Sequence, residues 1–138
     1  MKILGFNFKK ISAETFPTRE GEIKVNTKID IDEIASAKTE MFEKEEIVVV
    51  SFSYAINYEP KLALVEFKGN ILLSLEPDKA KEIIDEWKDK NLSEDLKITL
   101  FNIILKKANI KALQLEDELN LPPHMPLPRV SPETKKKE

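Results

Sequence analysis

Cysteine is absent from this 138-residue chain, which excludes disulfides, thiol nucleophiles and thiolate metal sites. Histidine occurs once, as His124, so one chain cannot build a multi-histidine metal site. The three glycines, Gly5, Gly21 and Gly69, are too far apart to form a phosphate-cradling loop. No apolar run approaches the ~20 residues a membrane span needs, and the first residues lack a signal-peptide pattern. A cytoplasmic protein is expected. A net charge of -3 argues against a nucleic-acid binder that works through phosphate contacts.

Charge itself is plentiful, at 34% of residues against 41% hydrophobic, as in a folded domain with a heavily charged surface. Only Arg19 and Arg129 are arginine among 22 basic residues, and glutamine occurs once. Such a Lys/Glu-rich composition resembles that of hyperthermophile proteins. The length fits one domain, expected over residues 1–130, with a disordered charged tail at 131–138.

Two runs rich in β-branched and aromatic residues, EIVVVSFSYAINY and KLALVEFKGNILLSL, flank Glu59-Pro60 and predict an antiparallel hairpin. Pairing about a turn of those two residues sets Tyr54 opposite Val65, Phe52 opposite Phe67, Ile56 opposite Ala63 and Val48 opposite Ile71, all on one apolar face. The other face has Ser51, Ser53, Glu66 and Lys68 in its middle. Ile47, Val49 and Leu72 lie at one end, with Ala55, Leu62 and Leu64 at the other.

Upstream, Leu4, Phe6 and Phe8 share a face while Ile11 and Ala13 have the opposite parity, which predicts a bulge at Lys9-Lys10. Ile23 to Ile31 alternate as a strand wet on one side. Asp32 to Lys44 reads as a charged loop or short helical turn. Downstream, Pro77 and Asp78 open a helix with an apolar stripe at Ala80, Ile83, Ile84 and Trp87. Ser93 is the expected cap of a second helix from about Glu94 to Ala112. Its apolar positions span an arc of roughly 200°, about twice what one sheet requires. Leu100, Ile103 and Ile104 are therefore candidates for a subunit interface, with cover by the first helix or the C-terminal segment as the alternative. Leu113 to Asn120 is read as a further short helix, and LPPHMPLPRV as an extended arm.

No catalytic constellation emerges. The serines lack a histidine base, and His124 between Pro123 and Met125 reads as a loop histidine. Glu45-Glu46 and Glu116 with Glu118 read as solvated carboxylates. No cofactor is expected, and the chain does not read as an enzyme.

The order of strands and helices, with Lys10-Ile11-Ser12-Ala13-Glu14, Ala63-Leu64-Val65-Glu66-Phe67 running through Gly69 to Leu75, and Leu119-Asn120-Leu121 before Pro122-Pro123, resembles the SecB family of export chaperones. The resemblance implies an α+β fold, a four-stranded antiparallel sheet with two C-terminal helices packed on one face, assembled as a dimer of dimers. It further implies ATP-independent holding of unfolded or nascent polypeptides in apolar grooves. Ile47, Val49, Ala55, Leu62, Leu64 and Leu72 are the candidate client-binding residues. Glu14 and Glu66 match acidic positions that dock a translocation motor, where Lys10 replaces an acid. SPETKKKE stands where the family has a second amphipathic helix. The competing readings are a structural or assembly subunit and a dedicated chaperone of one fixed partner, such as an antitoxin.

Overall fold

The computed structural model describes residues 1–17, 21–37 and 45–132. Four long strands, β1 (Lys2–Thr15), β2 (Lys24–Ala37), β3 (Glu46–Glu59) and β4 (Ala63–Leu75), are followed by α1 (Pro77–Lys88) and α2 (Glu94–Glu118). The strands form one antiparallel sheet in the order β1-β4-β3-β2. The hairpin occupies the centre and the two N-terminal strands form the edges.

Strict alternation along β3 and β4 sorts the sheet into two faces. Val48, Val50, Phe52, Tyr54, Ile56 and Tyr58 of β3 are buried, as are Ala63, Val65, Phe67, Ile71 and Leu73 of β4. Both helices add to the same core, with Ala80 and Ile83 from α1 and Leu100, Ile104, Ala108 and Ala112 from α2. The helices thus cover the apolar face, and the face holding Ser51, Ser53, Glu66 and Lys68 turns outward.

The pairing within the hairpin differs from the sequence expectation by two residues. Tyr54 faces Phe67, Phe52 faces Gly69, Ile56 faces Val65 and Val48 faces Leu73. The reversal uses four residues, Glu59 to Leu62, with Lys61 in the left-handed region (φ 47°) and the Leu62 amide donating to the Tyr58 carbonyl at 2.8 Å. A shift of two keeps every side chain on its face. It also sets Gly69 between Phe8 of β1 and Phe52 of β3. A Cβ at residue 69 would meet the Asn7 carbonyl at 2.2 Å and the Phe52 ring at 2.9 Å, so the Phe52 ring takes the space a side chain would need.

Register shifts mark the expected bulge between Phe8 and Lys10, and a second between Ile3 and Gly5. The first brings Ile11 and Ala13 opposite Phe67 and Val65, on the same inner face as Phe6 and Phe8. A third shift, between Ile31 and Glu33, corrects the reading of Asp32 onward as loop. One extra residue re-phases β2, so Ile34 still reaches the core and the strand runs on to Ala37. The remainder of that reading, residues 38–44, lies outside the described residues, as does the tail from 133.

Ser93 caps α2 by accepting from the Leu96 amide at 3.4 Å. The helix is continuous to Glu118, with no break at Ala112. It ends in a paired-bond reversal: Asn120 adopts φ 56°, the Leu121 amide donates to the Glu116 carbonyl at 2.8 Å and the Asn120 amide to Asp117 at 3.3 Å. Pro122 and Pro123 then prevent any continuation of the helix.

Candidate functional site

Where the β3–β4 turn meets the end of α2, the described residues enclose a pocket of about 700 Å³. Thr15, Phe16 and Pro17 leave β1 along one side, Ile23 leads into β2 on another, and Pro60 and Leu62 come from the turn. Leu119 to Pro122 supply the last wall. The Phe16 amide donates to the Leu62 carbonyl at 2.8 Å, which holds the chain leaving β1 against the turn. A second hollow of about 350 Å³ shares Phe16 and continues past Tyr58, Ala63 and Leu64. Together they form a recess in which apolar side chains and polar groups contribute comparable surface, suited to an extended chain that offers both apolar side chains and main-chain polar groups.

A buried polar cluster holds the wall formed by the end of α2. The imidazole of His124 is 4% exposed and the carboxylate of Glu116 is 1% exposed. Nδ1 of His124 lies 2.8 and 3.0 Å from the two carboxylate oxygens, and the His124 amide donates to Oε1 at 3.1 Å. On the other side of the ring, Nε2 is 2.9 Å from Asn109 Oδ1 and 3.2 Å from the Tyr54 hydroxyl, which donates to Asn109 Oδ1 at 2.8 Å. The Tyr58 hydroxyl donates to the Pro122 carbonyl. Among the described residues no buried side-chain nitrogen or oxygen lacks a partner. Burial, and next the Glu116 carboxylate, push both tyrosine hydroxyls well above their ordinary pKa.

This cluster corrects one sequence expectation: Glu116 is not a solvated carboxylate. His124 lies in a loop, as read from the sequence, with its ring turned inward. A signal was present: Leu100, Ile104, Ala108 and Ala112 recur every four residues, and the next member of that series is Glu116. An acid in an apolar series needs a partner, because an isolated buried charge is too costly to keep.

The six candidate client-binding residues separate into three places. Ile47, Val49 and Leu72 lie together on the outer face, where Val49 pairs with Leu72 and Ala35 and Ala37 of β2 extend the patch. Ala55 and Leu64 form a smaller patch eight residues away along β4, about 27 Å at the usual strand rise. Leu62 lies in the turn and lines the pocket. Between the two patches runs a polar band. It includes the Lys10–Glu66 ion pair, Ser53 within 2.8 and 3.0 Å of the Asp32 carboxylate oxygens, and Asn7 bonded to Asn70 at 3.3 Å. Glu14 and Glu66 share this face on adjacent strands. The Lys10 ammonium, hydrogen-bonded to Glu66, holds that carboxyl below its ordinary pKa.

The three candidate interface residues do not form one surface. Leu100 and Ile104 are fully buried in the chain's own core, leaving no side-chain surface for a second subunit, and Ile103 is half-buried. The wide apolar arc has a geometric cause. Steps of four residues advance about 40° around a helix, so the buried series from Leu100 to Glu116 sweeps about 160° as α2 crosses the sheet. Within the strands and helices, large apolar groups remain exposed at Ile98 and Ile110 on α2 and at Ile3, Leu4 and Ile11 on the edge strand β1.

Among the described residues, no helix is long and apolar enough to cross a membrane, and no cluster of His, Asp and Glu could hold a metal ion. No family model and no curated sequence matches the chain. Among solved structures, the chain is similar to a SecB-like chaperone of Mycobacterium tuberculosis, Rv1957, in complex with a ChAD peptide from the HigA1 antitoxin Rv1956. That likeness has a TM-score of 0.55 and covers 94% of this chain and 90% of the other. With 14% identity, it shows that the two share a fold.

Proposed function

We propose that the protein is an ATP-independent chaperone that holds extended, non-native polypeptide segments in the recess beside Leu62 and on the apolar patches of the outer sheet face. The observation that carries this reading is the recess itself. Its walls come from four separate parts of the chain, it is lined by Phe16, Ile23, Leu62, Leu119 and Leu121, and the protein around it is otherwise heavily charged. Apolar side chains in such a recess take client side chains without regard to sequence, its polar groups can meet the client main chain, and surrounding charge keeps the loaded complex soluble. Several weak contacts along one client add up through effective concentration. The shared fold with a chaperone that binds a peptide supports the reading.

The exposed Ile3, Leu4 and Ile11 on β1 and Ile98 and Ile110 on α2 suit association of copies, and we propose a cytoplasmic homo-oligomer, a dimer of dimers. Suppression of light scattering by a chemically denatured client diluted into buffer without nucleotide tests the function. Unchanged scattering at several-fold molar excess would reject it, and the mass in solution tests the assembly. A second reading is a chaperone dedicated to one partner, favoured because the similar protein is bound to an antitoxin peptide. Suppression confined to a single client among many would select it.

A further inference from the structure

The pocket wall from Leu119 to Pro122 has an unusual support. It leaves α2 through a reversal, turns at two prolines, and is held from behind by a buried ring two residues past its end, that of His124. One residue, Glu116, serves both ends of this segment. Its backbone carbonyl accepts from the Leu121 amide at 2.8 Å, and its carboxylate accepts from the amide and Nδ1 of His124. A carboxylate can only accept, so Nδ1 carries the proton. Beyond His124, the side chains of Met125, Leu127 and Val130 are exposed.

We propose that His124 is a latch that positions this wall, so that client binding in the pocket depends on the ring being seated against Glu116, Asn109 and Tyr54. The inference rests on the pocket being the client site. With the ring seated, residues 119–122 lie between two fixed points and face Leu62 and Phe16 across the recess. With the ring out, the helix-end bonds of Asn120 and Leu121 and the Tyr58 contact are left to hold the wall alone; without the anchor at His124 they open more often, and the recess opens on one side. Binding then costs the ordering of the wall as well as of the client. Because the chain has one histidine, its imidazole signals report the latch directly.

The experiment uses the full chain and a short synthetic peptide in which leucine alternates with serine and lysine, read by fluorescence anisotropy. Nuclear magnetic resonance follows the imidazole and the amides of Asn120 and Leu121. Leu62→Asp should abolish peptide binding. His124→Ala should raise Kd about tenfold and speed hydrogen exchange at Asn120 and Leu121. His124→Asn, which keeps a donor towards Glu116, should recover most of both. Val48→Ala, a cavity variant ten residues along β3 from Tyr58, should lower stability with Kd unchanged.

Exchange at Asn120 and Leu121 as slow in His124→Ala as in the parent overturns the latch whether or not the peptide binds. An unchanged Kd in His124→Ala, or equal losses in His124→Ala and Val48→Ala, also overturns it. Failure of the parent to bind the peptide, or binding unaffected by Leu62→Asp, overturns the pocket reading instead.

Discussion

Glu116 and His124 are joined three times across the turn that ends α2: amide to Oε1 at 3.1 Å, and Nδ1 to both carboxylate oxygens at 3.0 and 2.8 Å. The pair is almost fully buried, and removing one member strands the other in a medium where an unpartnered polar group is expensive.

Glu116→Ala should therefore lower the unfolding free energy by about 3 kcal/mol, and Tyr54→Phe, which removes one neutral hydrogen bond, by about 1 kcal/mol. Glu118→Ala, two residues on and exposed, should change stability by less than about 0.5 kcal/mol. Urea unfolding of the three variants checks the order. Equal effects at 116 and 118 would mean the carboxylate at 116 is solvated.

Legibility in the sequence followed the reach of each signal. The faces of β3 and β4 were readable because period-two alternation is local, and the bulge at Lys9 because a parity change is local too. The hairpin register was not, since it depends on the left-handed backbone of Lys61, which the Glu59-Pro60 signal does not contain. The far half of β2 was hidden by a bulge residue, Asp32, that is itself charged and resembles the start of a loop. The recess was invisible as a unit because its walls come from residues as far apart as Thr15 and Pro122. Its latch was half visible: Glu116 interrupts an apolar series, but nothing local to His124 says that its ring turns inward.

Gly69 and Gly5 make a contrasting pair. A methyl group at 69 meets backbone at 2.2 Å and the Phe52 ring at 2.9 Å, whereas at 5 the nearest atom is Leu72 Cδ1 at 3.9 Å. Gly69→Ala should cost about 3 kcal/mol through forced displacement of β1 and Phe52. Gly5→Ala should be neutral or stabilise by a few tenths of a kcal/mol, as glycine weakens a strand. Denaturation midpoints decide it, and a tolerated alanine at 69 would argue for a different register.

On the outer face, the Lys10–Glu66 pair lies in the band separating the apolar patches. Glu66 has its pKa lowered, first by the hydrogen bond from Lys10. A depressed carboxyl adds stability above its unfolded value of about 4.3, and that contribution disappears as pH falls through the folded value. The gain is small, under about 1 kcal/mol for a surface pair. Lys10→Met should return the Glu66 titration, followed by its carboxyl carbon resonance, towards the ordinary value. An unmoved midpoint would show that the pair does not persist in solution.

Tyr54 and Tyr58 are the only tyrosines; the Tyr58 hydroxyl bonds the pocket wall at Pro122, and the Tyr54 hydroxyl meets Asn109 and His124 behind it. Tyr54 is also stacked on Phe67, with ring centroids 5.5 Å apart. Burial first, and then the Glu116 carboxylate, raise both above the ordinary tyrosine value. A raised pKa makes the folded chain bind more protons than the unfolded chain once pH exceeds about 10. The contribution is therefore complete below that pH and is lost as pH climbs towards the folded values. Tyrosinate absorbance should stay near zero while the fold persists, then rise steeply together with the loss of far-ultraviolet circular dichroism. Each of Tyr54→Phe and Tyr58→Phe should halve the absorbance change. Gradual ionisation centred near the ordinary value with the circular dichroism intact would place the hydroxyls in water and dissolve the cluster that ties β3 to the arm.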